Sequence, residues 1–163
     1  MGPKPLTANE LVKHLDLKPH PEGGYYRETY RSSLPIPGLN PPKVFSTAIY
    51  YMLTPGDVSK FHRLVSDEIF HFYQGDASEW VWLTPDRKMK KIILGDNLKK
   101  GEMLQMVIPA GTWFAGRLTP EGRYCLMGTT VAPGFDFSDL QFADRQELLK
   151  LYPQAESEIF LFT

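Results

Sequence analysis

Short runs of β-branched and aromatic residues, each broken by Gly, Pro or Asp, dominate the chain from Val44 to Ala132: VFSTAIYYML, KFHRL, EIFHFYQ, SEWVWL, MKKIIL, MLQMVIP, TWFAGRL and RYCLMGTTVA. Within such runs successive side chains point to opposite faces, the signature of strands. About eight strands so closely spaced, with no helical segments between them, predict an all-β sandwich or barrel instead of a parallel α/β sheet, with the jelly roll favoured. The flanks have another rhythm. In LTANELVKHLDL, Thr7 and Glu10 have the spacing of a capping box and Leu11, Val12 and Leu15 share a face, so a short amphipathic helix opens the chain. HPEGGYYRETYRSS then reads as a glycine-hinged extended arm in which Tyr26, Glu28 and Tyr30 alternate with Tyr25, Arg27 and Thr29, and the proline-dense LPIPGLNPPK is a loop. At the far end, ADRQELLKLYP places Asp144 three residues before Glu147 and predicts a C-terminal helix closed by Pro153. The expected organisation is one domain over residues 1–163: helix, arm and loop over 1–43, barrel over 44–135, and a helical extension over 136–163.

Composition narrows the function classes. At 163 residues, 42% hydrophobic and 23% charged, the chain suits a single globular core. A net charge of −1 supplies no field to attract nucleic acid or an anionic membrane, so neither is an expected partner. Cys125, the single cysteine, lies in an apolar run and reads as a buried structural thiol, which asks for no oxidising compartment. No apolar stretch approaches a membrane-spanning length and MGPKPLTANE lacks the core of a signal peptide, so the expected location is cytoplasmic. Gly2 is a poor myristoylation signal because Pro3 follows it.

The chemistry concentrates between Gly56 and Gly75, where His62 and Glu68 lie on neighbouring short strands joined by the turn-prone VSD. Alternation puts His62 with Leu64, and Glu68 with Phe70 and Phe72, on faces that are otherwise apolar. An inward carboxylate among aromatic residues needs a cation, a histidine or a ligand donor; the structural alternative is an ion pair with Arg27 or Arg117. A histidine oriented by a carboxylate is a familiar base for proton removal beside a carbonyl, and Tyr26 or Tyr50 are candidates to return the proton. Tyr25, Tyr26, Trp80, Trp82, Trp113 and Phe114 are material for stacking a planar ligand, and Arg27, Arg31 and Arg117 for meeting phosphates. The candidate catalytic set is therefore His62, Glu68 and Tyr26, and the candidate ligand-binding set Arg27, Tyr50, Trp82, Phe114 and Arg117.

Gly56, His62, Glu68 and Gly75 resemble the first cupin motif, and PAGTWF resembles the second through Pro109 and Gly111. Leu64 and Phe114 stand where that superfamily places two metal-binding histidines, so no cofactor is expected and a divalent metal is disfavoured. Over nearly the whole chain, HPEGGYYRETYR, STAIYYML, FHRLVSDEIFHFYQGD, PAGTWFAGRL and TVAPGFDFSDLQFADRQELL look like the cupin-like family long classed as a domain of unknown function, sometimes called cupin family five. The resemblance implies a small, usually dimeric jelly-roll barrel similar to the nucleotide-sugar epimerases of rhamnose synthesis, and no settled activity. The expected ligand is a nucleotide, nucleotide sugar or phosphorylated metabolite, with epimerase or isomerase chemistry if the chain is an enzyme. A metal-dependent cupin, dioxygenase or isomerase, recruiting His20, His71 or a carboxylate as replacement ligands, and a non-catalytic interaction protein are the alternatives. A symmetric homodimer is expected through the arm from Tyr25 to Arg31.

Overall fold

The protein is described here by a computed structural model covering residues 6–163; Gly2 and its neighbours lie outside the described residues. The opening helix α1 (Ala8–His14) has the expected capping box, with the Thr7 hydroxyl accepting from the Glu10 amide and the Glu10 carboxylate accepting from the Thr7 amide. Eleven strands follow in chain order: β1 (Lys18–Pro19), β2 (Tyr25–Arg31), β3 (Thr47–Leu53), β4 (Val58–Arg63), β5 (Asp67–Gly75), β6 (Ser78–Leu83), β7 (Met89–Leu94), β8 (Gln105–Ile108), β9 (Trp113–Leu118), β10 (Cys125–Ala132) and β11 (Gln141–Phe142). They form two antiparallel sheets, one ordered β1-β2-β3-β10-β5-β8 and the other β11-β4-β9-β6-β7. Non-sequential neighbours such as β10 between β3 and β5 mark this as a jelly-roll sandwich. The chain ends in α2 (Arg145–Leu151), whose cap Asp144 accepts from the Glu147 amide, and α3 (Glu156–Phe162), a second helix that the sequence reading did not anticipate.

Three apolar layers result from strand alternation. Between the sheets lie Tyr51, Leu53, Phe70, Met106 and Met127 from one side and Trp80, Trp82, Leu94 and Phe114 from the other. The outer face of the second sheet packs Phe61, Val81, Leu83 and Trp113 against Leu148, Ile159 and Phe162 of the C-terminal helices. The outer face of the first sheet buries Met52, Tyr124 and Leu126 under Leu11 of α1. Cys125 is fully buried in the central layer, where loss of hydration pushes its thiol up to about 12, so it is an inert packing group.

Two local devices position the site. Gly23 (φ +113°) and Gly24 (φ +74°) turn the chain between α1 and β2, and a Cβ at Gly23 would lie 2.0 Å from the Val58 carbonyl oxygen, so that turn presses directly on β4. A bulge in β2 follows: Glu28 pairs with Ile49 but Tyr30 with Ala48, leaving Thr29 as the extra residue. Beyond that point the parity of the arm reverses, and Arg31, opposite Thr47, joins Tyr26 and Glu28 on the inner face.

Candidate functional site

One end of the space between the sheets is open. A cavity of about 310 Å³ enters there, walled by Ile49, Leu64, Thr129 and Val131, with Glu22, His62, Glu68 and Tyr51 around its floor and Tyr26, His20 and Phe137 nearer its mouth. Its size is at the lower end of small-molecule pockets. The floor is built from two distant segments. The turn preceding β2 docks on β4 through Lys60 N–H to the Glu22 carbonyl (3.0 Å), and the Tyr51 hydroxyl, rooted on β3, donates to the Gly23 carbonyl (2.7 Å). That docking carries the Glu22 side chain inward, where Oε2 lies 2.9 Å from His62 Nε2.

His62 and Glu22 form a buried ion pair with a defined proton arrangement. His62 Nδ1 faces the Lys60 carbonyl at 2.7 Å, a contact that requires an N–H there. Burial works against the imidazolium, but the Glu22 carboxylate, the hydrogen bond to it and the Lys60 carbonyl outweigh burial and hold its pKa above the ordinary histidine value. Glu22 answers in kind: burial favours its neutral form, yet the charge and hydrogen bond of His62 keep it below the usual carboxylate range. Glu68, 8% exposed on β5, has no ion-pair partner within 4 Å among the described residues. Burial first and the neighbouring Glu22 charge second push it up to about 8, with the His62 charge and the Thr129 hydroxyl opposing, so at neutral pH it is a carboxylic acid. The Tyr51 hydroxyl is likewise driven well above its normal range by burial and by Glu22, and remains a donor.

The sequence-derived candidates separate cleanly on this geometry. His62, Glu68 and Tyr26 line the cavity. Arg27, Tyr50, Trp82, Phe114 and Arg117, expected from the sequence to surround a ligand, do not line it. Arg27 and Tyr50 are cross-strand partners on the outer face of the first sheet, the guanidinium 5.5 Å from the ring centroid. Trp82 and Phe114 point inward but are paired across β6 and β9 within the packed interior, at 8% and 1% exposure. Arg117 faces outward from β9 and pairs with Glu79. Of the three arginines considered, Arg31 alone lines the cavity, held by Glu28 at 2.7 and 3.0 Å and donating to the Phe135 carbonyl. The partner of His62 is Glu22 and not Glu68, and neither Arg27 nor Arg117 ties off Glu68. Sequence reading missed Glu22, Tyr51 and Thr129 and took His20 only as a substitute metal ligand; the available signal was the double glycine after Glu22, which marks a turn able to press a side chain inward.

A cupin metal is not matched by these donors. Leu64 lines the cavity as an apolar wall, and the Phe114 ring sits 4.1 Å from the His62 ring where a further ligand would be needed. Both His62 nitrogens are engaged, and no three His, Cys, Asp or Glu side chains converge as a metal-holding group among the described residues. His71, the other substitute considered, bonds to Thr130 and Gln105 away from the cavity.

Comparison with known proteins agrees with this architecture. A yeast protein of uncharacterised function, from Saccharomyces cerevisiae, is 33% identical over 92% of this chain and 82% of its own length. A hypothetical protein from Leishmania major superposes with a TM-score of 0.91 at 32% identity, covering 97% of this chain and 99% of that one, and a Shewanella oneidensis protein with 0.88 at 33%, covering 97% and 98%. Bacillus subtilis oxalate decarboxylase shares the fold alone, with a TM-score of 0.56 at 14% identity over 89% of this chain and 37% of its own. Residues 9–143 match the family described as Cupin superfamily (DUF985), and the chain belongs to that family.

Proposed function

We propose that the cavity binds a small hydroxy-carbonyl metabolite of the sugar or sugar-phosphate class and moves a proton on it, as an isomerase or epimerase. The observation that carries this reading is the presence of two carboxyl groups in one cavity under opposite influences: Glu22 paired with His62 at 2.9 Å and pulled toward its ionised form, and Glu68 without an ion-pair partner among the described residues and pushed by burial toward its neutral form. Environments that drive two acids apart in this way assign a base and an acid. With Oε2 committed to His62, Oε1 of Glu22, 3.8 Å from His20 Nδ1, is the oxygen that takes a proton from the carbon beside the carbonyl. Glu68 gives its proton to the carbonyl oxygen, producing a neutral enediol; Glu22 then delivers its proton to the former carbonyl carbon while the ionised Glu68 takes the proton of the adjacent hydroxyl, which completes the isomerisation with no oxidant or reductant. His62 holds Glu22 in place, and the walls of Ile49, Leu64 and Val131 keep water from the floor.

Arg31 brings a guanidinium to the lining, and its charge is already met by Glu28 with Asp136 nearby, so the lining suits a neutral sugar as well as a phosphate, and the cavity's size favours either over a nucleotide sugar. Incubation with a panel of sugar phosphates in D2O, followed by NMR, tests the reading. Loss of the C–H signal next to the carbonyl in the parent, and its retention with Glu22→Gln and Glu68→Gln, is expected. Ligands that raise the melting temperature without any exchange would instead make this a binding protein.

A further inference from the structure

His20 lines the same cavity with its side chain only 6% exposed, and its ring is set differently from that of His62. The backbone N–H of Glu22 donates to His20 Nδ1 at 3.2 Å, closer than the Glu22 carboxylate oxygen, which stays 3.8 Å from the same nitrogen. A backbone amide can only donate, so Nδ1 carries no proton and the proton of the neutral ring sits on Nε2. His62 has the reverse arrangement, its Nδ1 donating to a backbone carbonyl. The ring of His20 is gripped edge-on by Tyr26, with centroids 4.5 Å apart, and by Tyr51 at 5.8 Å, so it has little freedom to flip. Its Nε2 has no hydrogen-bond partner among the described residues, yet it is not one of the polar atoms sealed from solvent without one. An unpartnered N–H on a buried ring that lines a cavity opens into that cavity.

We propose that His20 is a fixed, neutral hydrogen-bond donor to a substrate oxygen, a second electrophile beside Glu68 that recognises the vicinal oxygens of an enediol or enediolate. The assignment rests on the proton-transfer reading above and narrows its substrate class to compounds with oxygen on two adjacent carbons. It makes His20 a catalytic residue in the sense that Nε2 touches the reacting oxygen. Charge neighbours reinforce the arrangement: burial disfavours the imidazolium, the Glu22 carboxylate pulls the other way, and the His62 cation sides with burial, with the outcome that protonation is held below the ordinary histidine range. A neutral imidazole is the better matched donor here, because it can stabilise a developing oxyanion without surrendering a proton to it.

The test uses the whole protein and glycolohydroxamate, a planar mimic of an enediolate. In nitrogen-15 NMR of the free protein, His20 is expected as the Nε2–H tautomer at neutral pH, and its Nε2–H resonance is expected to move when the hydroxamate binds. His20→Phe keeps the aromatic packing and removes the donor, so its dissociation constant is expected to rise about tenfold, the value of one donor to a charged oxygen. His20→Gln, which places an amide N–H near the position of Nε2, is expected to restore affinity to within about threefold. An Nδ1–H tautomer or an imidazolium at neutral pH overturns the proposal, as does parent-like affinity in a folded His20→Phe. Absence of hydroxamate binding to the parent overturns it as well. The two readings fail separately: hydroxamate binding that depends on His20 without exchange of any sugar phosphate leaves the donor and removes the isomerase, whereas exchange at the parent rate in His20→Phe does the reverse.

Discussion

The two ends of the space between the sheets obey the same strand alternation and end in opposite states. At the end bounded by β6, β9 and the centre of β5, Trp80, Phe70 and Phe114 interlock with ring centroids 4.6 to 6.2 Å apart and at most 1% exposure. At the other end, the inward positions of β3 and β10 are Thr47, Ile49, Thr129 and Val131, too short to meet across the gap, and a cavity remains. The interior of a jelly roll is therefore solid or hollow according to side-chain volume at equivalent positions, with the backbone unchanged. Polar groups follow the same division. At the packed end Trp80 Nε1 donates to Ser78 Oγ at 2.9 Å and Trp82 Nε1 is buried without a partner among the described residues, while the hollow end collects Glu22, His62 and Glu68, groups that packed apolar walls could not hold.

The largest expected effect separates the two ends directly. Trp80→Ala should lower unfolding free energy by about 3–5 kcal/mol, since it opens a void in a close-packed region, whereas Val131→Ala on the cavity wall should lose about 1 kcal/mol. Urea unfolding of the two variants beside the parent measures this, and equal losses would erase the distinction between a solid and a hollow end.

Next in size is the ion pair. Glu22→Gln leaves the His62 cation without its counter-charge and should destabilise by about 2–3 kcal/mol, moderated because the ring can shed its proton. NMR titration should then find the His62 pKa below the ordinary histidine value, where burial alone would place it, in contrast to the raised value in the parent.

Glu68 sharpens the comparison through pH. In the folded chain it keeps its proton up to about pH 8, and in the unfolded chain it releases it near 4.5. The native state binds more protons across that window, so its contribution to stability is complete below 4.5, falls as pH rises toward about 8, and stays lost above. Glu68→Gln removes this dependence and should gain on the order of 1–3 kcal/mol over the parent above pH 8, relative to their difference at pH 4.5. Parallel stability curves against pH for the two proteins would show that Glu68 is ionised in the fold. The smallest effect is expected outside the sandwich altogether: Arg27→Ala on the outer sheet face should change stability by no more than about 0.5 kcal/mol and leave hydroxamate affinity unaltered.

Much of this was legible from residue order. Thr7 with Glu10, and Asp144 with Glu147, announce helix starts because capping is a contact between residues three apart, and the β-rich runs announce strands because alternation is local. Leu64 and Phe114 are legible as departures from the cupin motifs, since each stands in place of a histidine within a short pattern. The His62 partner was not legible in the same way. Proximity along the chain pointed to Glu68, but the residue that meets His62 comes from the turn before β2, brought in by Gly23 and Gly24 and by the Lys60 amide. Arg31 was illegible for a related reason: alternation from Tyr26 puts both Arg27 and Arg31 on the opposite face, and the extra residue of the β2 bulge turns Arg31 back inward while Arg27, before the bulge, faces out.

The sequence by itself determined what depends on neighbours a few residues apart: strand and helix identity, the class of fold, the stretch bearing His62 and Glu68, and the loss of two metal ligands. Only the tertiary structure decided which inward residues fill space and which surround it, that Glu22 and His62 share a proton while Glu68 keeps its own, and that His20 turns an N–H toward the cavity. Those outcomes are set by burial and by the 2.9 Å approach of Glu22 to His62 from a segment far away in the chain; the backbone groups against the two imidazoles lie only two residues from each ring, but the folded turn and strand fix the conformations that make those contacts.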